Sequence, residues 1–279
     1  MNKKATIGVI GCGWLGLPLA ETLITNGYAV KGSTTSVEKL EMLRSKGIGP
    51  YLVHFHDLDP DALEEFLNCD VLIINIPPRS RSAEGAASYQ AMADLITGKV
   101  VERRVHKIIL VSSTSVYRDT NTTVTESSLT EADSPTGRLL LNVENQFLAL
   151  KNKQVCVLRP AGLVGPERHP GNFFKDKSGI PNGLAPVNLI HRDDVIGILL
   201  SLIRNPEAKG VYNGCSLTHP AKHEFYTNAA EVLGNPAPGF LLEKNWYKIV
   251  ASVRIKEELN YTFKFPDLMS WLNERLDFS

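Results

Sequence analysis

Gly11, Gly13 and Gly16 are spaced G-x-G-x-x-G, and their flanks give that spacing a chemistry. Ile7, Val9 and Ile10 before them make the short apolar run of a buried strand. Leu15, Leu19, Ala20, Leu23 and Ile24 after them recur at helical spacing. In a strand–turn–helix, Gly11 permits the tight turn, Gly13 lets a pyrophosphate approach the backbone, and Gly16 lets the helix pack on the strand. The first helical N–H groups, from Trp14 and Leu15 on, then offer donors and a positive dipole end to the phosphates. The alternative is a tight turn packed for structural reasons alone; the strand before and the helix after favour dinucleotide binding. Pro18 lies inside the helical pattern, but a helix starting near Gly13 or Trp14 makes its missing donor one of the early, unpaired ones.

The end of the next strand, Tyr28 to Gly32, bears on which dinucleotide. An acidic residue about 20 positions past the glycines bonds the ribose 2′-hydroxyl of NAD. Here the run is Gly32-Ser33-Thr34-Thr35-Ser36, with Lys39 one turn on and no carboxylate before Glu38. The hydroxyls of Ser33, Thr34 and Thr35 with the Lys39 ammonium suit a 2′-phosphate. NADP is the expected cofactor and NAD the alternative, Ser36 serving equally well as a helix cap.

The elements that must position these residues alternate along the chain. Helices are expected at Val37–Lys46, Asp61–Leu67, Ala86–Arg104, Thr136–Lys151 and Asp194–Leu202. Strands are expected at Tyr51–Val53, Asp70–Ile76, Lys107–Val111, Val155–Leu158, Val187–His191 and Val211–Asn213, the sixth breaking at Arg159-Pro160. Arg79–Gly85 and Asp119–Pro135 read as loops, and Pro220–Ser279 as two or three amphipathic helices. Buried strands alternating with helices indicate an α/β fold, a doubly wound parallel sheet of Rossmann type. Its dinucleotide domain is expected over 1–165, completed by about 187–215. A substrate-side loop at 166–186 and a small C-terminal lobe at 216–279 complete the chain. Ligands of such sheets lie outside the carboxyl ends of the strands, which adds Ile76, Pro77 and Ser112 to the cofactor contacts.

Composition narrows the partners. Thirty Lys and Arg balance thirty Asp and Glu over 279 residues, which argues against a nucleic-acid binder. No apolar run is long enough for a membrane span. The lysines and apolar stretch at the N-terminus resemble a signal peptide, but they belong to a complete strand–turn–helix. Cys12, Cys69, Cys156 and Cys215 lie far apart without C-x-x-C spacing, so neither disulfides nor a zinc site is indicated, and no metal is expected. The expectation is a cytoplasmic protein with a small-molecule substrate and room for a homodimer.

Four further motifs carry a resemblance. Ser112-Ser113-Thr114-Ser115-Val116-Tyr117 looks like S-S-x-x-V-Y, and Leu158-Arg159-Pro160-Ala161-Gly162-Leu163-Val164-Gly165-Pro166 looks like L-R-x-x-x-x-x-G-P. Asn188-Leu189-Ile190-His191-Arg192-Asp193-Asp194-Val195 is similar to I-H-V-x-D-V, and Gly210-Val211-Tyr212-Asn213 to G-x-x-Y-N. In this order, over about residues 5–235, they resemble the extended short-chain dehydrogenase/reductases, the superfamily of nucleotide-sugar epimerases and dehydratases. The glycine spacing departs from that family's usual G-x-x-G-x-x-G and points to an atypical bacterial branch. The resemblance implies an NAD(P)-dependent oxidoreductase or epimerase, with Pro160, Ala161 and Gly162 also on the cofactor. It implies that Ser113 is the hydroxyl polarising a substrate carbonyl.

The resemblance breaks at the proton-transfer pair. The family uses Tyr-x-x-x-Lys with a Glu four residues beyond the Lys. Glu144 fits the Glu, which puts Leu140 at the Lys and Thr136 at the Tyr. The tyrosine serves as acid/base because the lysine lowers its pKa; a threonine beside a leucine cannot. Tyr117 and His169 are the replacement candidates, with packing of Tyr117 at a strand end as the competing reading. Arg168 and His191 are substrate candidates for a polar, anionic ligand, although His191 at a strand end suits structural hydrogen bonding, and Arg138 reads as a solvated helix charge. Gly171–Ser178 approaches a G-x-x-x-x-G-K-S phosphate loop, but Asp176 stands at the second glycine and no buried strand leads into it. Two functions compete: an NADP-dependent oxidoreductase or isomerase without the usual pair, and a non-catalytic NADP(H) sensor. For the chemistry, the resemblance of G-C-G-W-L-G-L-P-L-A to the fingerprint of β-hydroxyacid dehydrogenases supplies a variant of the first.

Overall fold

The computed structural model describes residues 5–54, 60–78 and 82–274. From the N-terminus come β1 (Thr6–Ile10), α1 (Gly16–Thr25), β2 (Ala29–Thr34), α2 (Glu38–Ser45), β3 (Gly49–Leu52), α3 (Pro60–Phe66), β4 (Val71–Ile74), α4 (Ala83–Val100) and β5 (Lys107–Val111). A 3₁₀ turn at Thr114–Val116 leads to β6 (Thr123–Val124), α5 (Pro135–Leu148), β7 (Gln154–Pro160), β8 (Gly162–Val164) and β9 (Leu189–His191). The chain continues with α6 (Arg192–Arg204), β10 (Gly210–Gly214), α7 (Lys222–Val232), β11 (Ile249–Val250), α8 (Val253–Leu259) and α9 (Leu268–Asn273).

Seven strands form one sheet in the order β10-β7-β5-β4-β1-β2-β3. The pairings from β7 across to β3 are parallel. This is the expected Rossmann-type α/β sheet. Chain order reverses between β1 and β4, so the switch point where such sheets bind ligands lies at their carboxyl ends. Every residue of β4 and β5 is buried, as strands covered on both faces require.

Cα packing divides the chain into two compact units. The first comprises the residues up to Val116, Glu131–Arg159 and Leu199–Val211. Ile7, Val9, Ile10, Leu72, Ile73 and Ile109 are completely buried in its core. Lys107 is buried there too, its ammonium donating to the carbonyls of Leu202 and Asn205, which satisfies the last turn of α6.

The elements differ from their expected limits for local reasons. β4 stops at Ile74 instead of Ile76; the Asn75 amide still donates to the Ile10 carbonyl at 2.9 Å, and its side chain donates to the Gly11 carbonyl. α4 starts three residues early because Ser82 caps it, accepting from the Gly85 amide at 3.1 Å. The loop expected at Arg79–Gly85 otherwise lies partly outside the described residues. β7 runs through Arg159 and Pro160 instead of breaking there: Arg159 finds an ion-pair partner inside, and Pro160 is the last residue of the strand, where a missing donor costs little.

The second unit comprises Tyr117–Thr130, Pro160–Ile198 and the residues from Tyr212 on. It holds two small parallel pairs, β8 with β9 and β6 with β11, the latter drawing a strand out of the segment read as loop. Val164, Leu189, Phe225, Tyr226, Leu268 and Trp271 form its core, with Phe173, Phe174 and Phe240 packed against them. Asp194, fully buried, accepts from the Tyr261 hydroxyl and from the Lys264 and Phe265 amides, at 2.8, 2.6 and 3.0 Å. That carboxylate fastens the segment leading into α9.

Candidate functional site

The three glycines of the β1–α1 turn have three different surroundings. Gly11 takes φ +94°, and a Cβ there would lie 2.5 Å from the Asn75 carbonyl oxygen. At Gly16 a Cβ would come within 2.1 Å of the Gly11 carbonyl oxygen. Among the described residues, nothing lies within 4 Å of the Cβ position at Gly13. The outer two are sterically forced and the middle one faces open space, the distribution a backbone-hugging pyrophosphate needs. α1 begins at Gly16 with Leu15 as its N-cap, without a capping side chain and without an acidic residue in its first turn. Its dipole end and early amides therefore remain suited to an anion. Pro18 falls within that first turn, between the Leu17 and Leu19 amides, which donate to the Gly13 and Leu15 carbonyls at 2.9 and 3.2 Å, so it removes one bond from the ladder. Trp14 is half-buried beside Gly13, and Leu15 is buried.

The end of β2 sorts the candidate ribose readers. The Ser33 hydroxyl accepts from the Gly11 amide at 3.0 Å, and the Thr34 hydroxyl accepts from the Ser36 amide at 3.1 Å; both residues are buried. Their hydroxyls are turned to the backbone. Thr35 and Lys39 are exposed. The Glu38 carboxylate accepts from the Ser36 hydroxyl, which holds its pKa below the usual carboxylate value.

Beyond β4, Ile76 is half-buried and Pro77 exposed at the switch point. At the end of β5, Ser112 donates to Glu144 of α5, and Glu144 is gripped by Arg159 of β7. The Arg159 Nε lies 3.1 Å from both carboxylate oxygens, and the two residues are 4% and 0% exposed. A glutamate on the Leu140–Val143–Phe147 face and an arginine closing an apolar strand are two charges that can be buried only together. Each of the two charges stands among apolar residues in the sequence, which is the signal for the pair.

Ser113, half-buried, accepts from the Ser115 amide at 3.1 Å and so caps the 3₁₀ turn. The start of α5 packs on this turn: a Cβ at Gly137 would lie 2.4 Å from the Ser115 carbonyl oxygen. Ser134 caps α5, with Pro135 at its first position, so Thr136 sits in the first turn and Leu140 one turn on, 3% exposed. Arg138 donates to the carbonyls of Ala132 and Asp133. The helix that would carry a tyrosine and a lysine presents a short hydroxyl and a buried leucine.

In the second unit, Tyr117 is 2% exposed and its hydroxyl donates to Asn213 Oδ1 at 2.9 Å. The Ala161 and Gly162 amides, just past Pro160, donate to the Gly214 and Asn188 carbonyls at 2.7 and 3.1 Å. Arg168 is exposed, its guanidinium 5.9 Å from the Phe173 ring centroid. The half-buried His169 accepts at Nδ1 from the Gly171 amide at 3.1 Å, and burial lowers its pKa. His191 is 1% exposed; its Nδ1 accepts from the Asp193 amide, and its Nε2 is buried without a hydrogen-bond partner among the described residues. Burial pushes its pKa down to about 4, with Asp193 opposing and Lys264 and Arg192 assisting. His169 and His191 both approach Trp271, at ring-centroid distances of 5.8 and 5.0 Å. All four cysteines are buried thiols, and among the described residues no cluster of His, Cys, Asp and Glu is placed to hold a metal ion. No helix among them is long and apolar enough to cross a membrane.

Comparison with known proteins follows this geometry. Residues 6–133 match the family model described as the NAD binding domain of 6-phosphogluconate dehydrogenase. Protein YeeZ of Escherichia coli K12 is 38% identical over 266 residues, covering 94% of this chain and 96% of that protein. A solved structure of a functionally unknown conserved protein from Silicibacter pomeroyi matches with a TM-score of 0.75 at 25% identity, over 96% of this chain and 97% of that one. UDP-glucuronic acid 4-epimerase from Bacillus cereus, in complex with NAD, shares the fold with a TM-score of 0.77 at 18% identity, over 96% of each chain. The chain belongs to the family of protein YeeZ.

Proposed function

We propose that this protein is an NADP(H)-binding oxidoreductase or epimerase-type enzyme of a small polar substrate, working without a Tyr-x-x-x-Lys pair. The observation that carries the reading is the β1–α1 turn, where a Cβ is forbidden at Gly11 and Gly16 and open space lies over Gly13. The turn and the uncapped start of α1 would hold the pyrophosphate, with Trp14, Leu15, Ile76, Pro77 and Ser112 around it. When bound, the dinucleotide supplies a hydride donor or acceptor. Thr35 and Lys39, the exposed groups past β2, favour the 2′-phosphate, since Glu38 is engaged by Ser36 and Ser33 and Thr34 face inward.

Ser113 is the hydroxyl this reading places on a substrate oxygen. The Tyr117 hydroxyl is engaged by Asn213, which leaves His169 as the better candidate for moving a proton. The lowered pKa keeps its ring neutral at pH 7 with the proton on Nε2, so it donates a hydrogen bond as it stands and accepts a proton only when Nδ1 gives up the Gly171 amide. Arg168 and His191 are kept as the substrate-side groups. Calorimetric titration tests the cofactor: NADPH should bind more tightly than NADH, and Lys39→Ala should narrow the difference. A screen for reductase and isomerase turnover with NADPH then tests the chemistry, with Ser113→Ala and His169→Ala each expected to cost about 10²–10⁴ in rate on any hit. Thr136 and Leu140 favour a second reading, a non-catalytic NADP(H) sensor; tight NADPH binding without turnover would select it.

A further inference from the structure

Resting on the dinucleotide reading above, we infer that Ser33 is a positioning residue for the phosphate-binding turn and takes no part in distinguishing the two cofactors. Ser33 stands at the place where a ribose reader is expected, but its side chain points the other way. It is 3% exposed, and its hydroxyl accepts the Gly11 amide at 3.0 Å while its carbonyl accepts the Cys12 amide at 2.9 Å. One residue of β2 thus holds two consecutive amides of the glycine turn. Asn75, from the end of β4, holds the same peptide from the other side, its amide donating to the Gly11 carbonyl at 3.3 Å.

This double grip matters because Gly11 is not an ordinary residue. Its backbone is left-handed, its Cβ position is closed by the Asn75 carbonyl, and its own carbonyl closes the Cβ position of Gly16. A shift of the Gly11 peptide is therefore transmitted directly to the first residue of α1. The first amides of that helix and the open face over Gly13 move with it. Those groups face the pyrophosphate, which NAD and NADP share. Losing the Ser33 hydroxyl should weaken both dinucleotides by one factor, whereas losing a group that meets the 2′ position should change their ratio.

The experiment measures dissociation constants of NADPH, NADH and ADP-ribose, with the melting temperature of the ligand-free chain, for wild type, Ser33→Ala, Asn75→Ala and Lys39→Ala. A hydrogen bond is worth about 1 kcal/mol, so Ser33→Ala should weaken all three ligands about five- to tenfold, with the NADPH-to-NADH ratio within twofold of wild type. Asn75→Ala should repeat that pattern if Ser33→Ala does not fold. Lys39→Ala should move the ratio alone. A Ser33→Ala protein that loses NADPH but keeps NADH would make Ser33 a ribose reader after all. One that melts earlier yet binds all three ligands as wild type does would make it merely structural. Either result overturns the inference while the dinucleotide reading stands. A wild-type chain that binds none of the ligands removes that reading, and this inference with it.

Discussion

The turn after β1 and the turn after β5 sit at the same end of one sheet, and they are built on opposite principles. After β1 the backbone itself sets the character of the turn: two glycines are enforced by carbonyl oxygens at 2.5 and 2.1 Å, and the third is left bare. After β5 the backbone is ordinary, and side chains set its character. Ser112 is drawn inward to Glu144 and Arg159, and Ser113 remains half-buried at the edge. A backbone site tolerates almost no change of residue and keeps its ligand class. A side-chain site can be rewritten one residue at a time without disturbing the helix that carries it.

The contrast can be broken most directly in the glycine turn. Gly16→Ala should be the most damaging single change, because a methyl 2.1 Å from the Gly11 carbonyl oxygen forces α1 away from β1. Soluble yield and thermal melting would show it, with loss of at least about 3 kcal/mol expected from overpacking against rigid backbone. Gly13→Ala is the matched control. It should melt nearly as wild type does, since its Cβ meets nothing, yet bind NADPH at least tenfold more weakly. If both changes melt alike, the steric division within the turn is wrong.

Next in size is the ion pair behind β5. Glu144→Gln strips the partner from a fully buried guanidinium and should cost about 3–5 kcal/mol by denaturant titration. The double change Glu144→Met with Arg159→Leu should recover much of that loss, because the pair's desolvation cost disappears with its attraction. A single change that costs less than about 1 kcal/mol would mean that the pair is far better solvated than its burial indicates.

His191 provides a pH axis of similar but smaller size. Its folded pKa lies near 4, below the ordinary imidazole value of 6.5, so the unfolded chain binds the extra proton first as pH falls. The contribution of neutral His191 is fully present above about pH 6.5 and is lost on acidification toward pH 4. The span is on the order of 3 kcal/mol at most. Asp193, Lys264 and Arg192 all act on the same ring, and the half-buried His169 and His219 have lowered pKa values with the same sign. His191→Phe should therefore flatten the acid limb of the stability curve without abolishing it. A limb unchanged by that substitution would assign the acid sensitivity elsewhere.

These regions also differ in how far sequence alone could reach them. The β1–α1 turn was legible because its function is carried by residue types with few other uses: glycine in a left-handed turn and an apolar strand feeding an apolar helix. The parallel sheet followed from the same local periodicities. Ser33 was legible as a polar residue at the right distance, but not in its direction. Pointing inward to Gly11 depends on the twist between β1 and β2 and on which face of β2 the side chain takes. Arg159 invited a strand break because an isolated buried charge is prohibitive, and its partner Glu144 is 15 residues away on a helix. The orphaned His191 Nε2 had no sequence signal, since it depends on the packing of Gly165 and Phe265 around the ring. What one residue does locally can be read in advance. What two distant residues do together generally cannot.

The smallest expected effect is the sharpest test of the turn after β5. By its spacing from Glu144, Thr136 is the residue expected at the family's tyrosine, and it carries a short side chain in the first turn of α5. Ser134 supplies the cap, accepting from the Gly137 amide at 3.0 Å, and Glu144 with Arg159 anchors the helix one face further on. On the reading that a threonine cannot replace the acid/base, Thr136→Ala should leave NADPH affinity and any turnover within twofold of wild type, alanine being the better helix former. Ser113→Ala, in the turn after β5, should be far more costly on any measured activity. If Thr136→Ala instead costs tenfold or more in turnover with binding intact, the threonine hydroxyl touches the substrate. The acid/base position would then have been reduced to a hydrogen-bonding one instead of abandoned. Thr136→Tyr separates the two cases further: without a lysine at Leu140 to lower its pKa, the restored tyrosine should fill space and supply no proton transfer at pH 7.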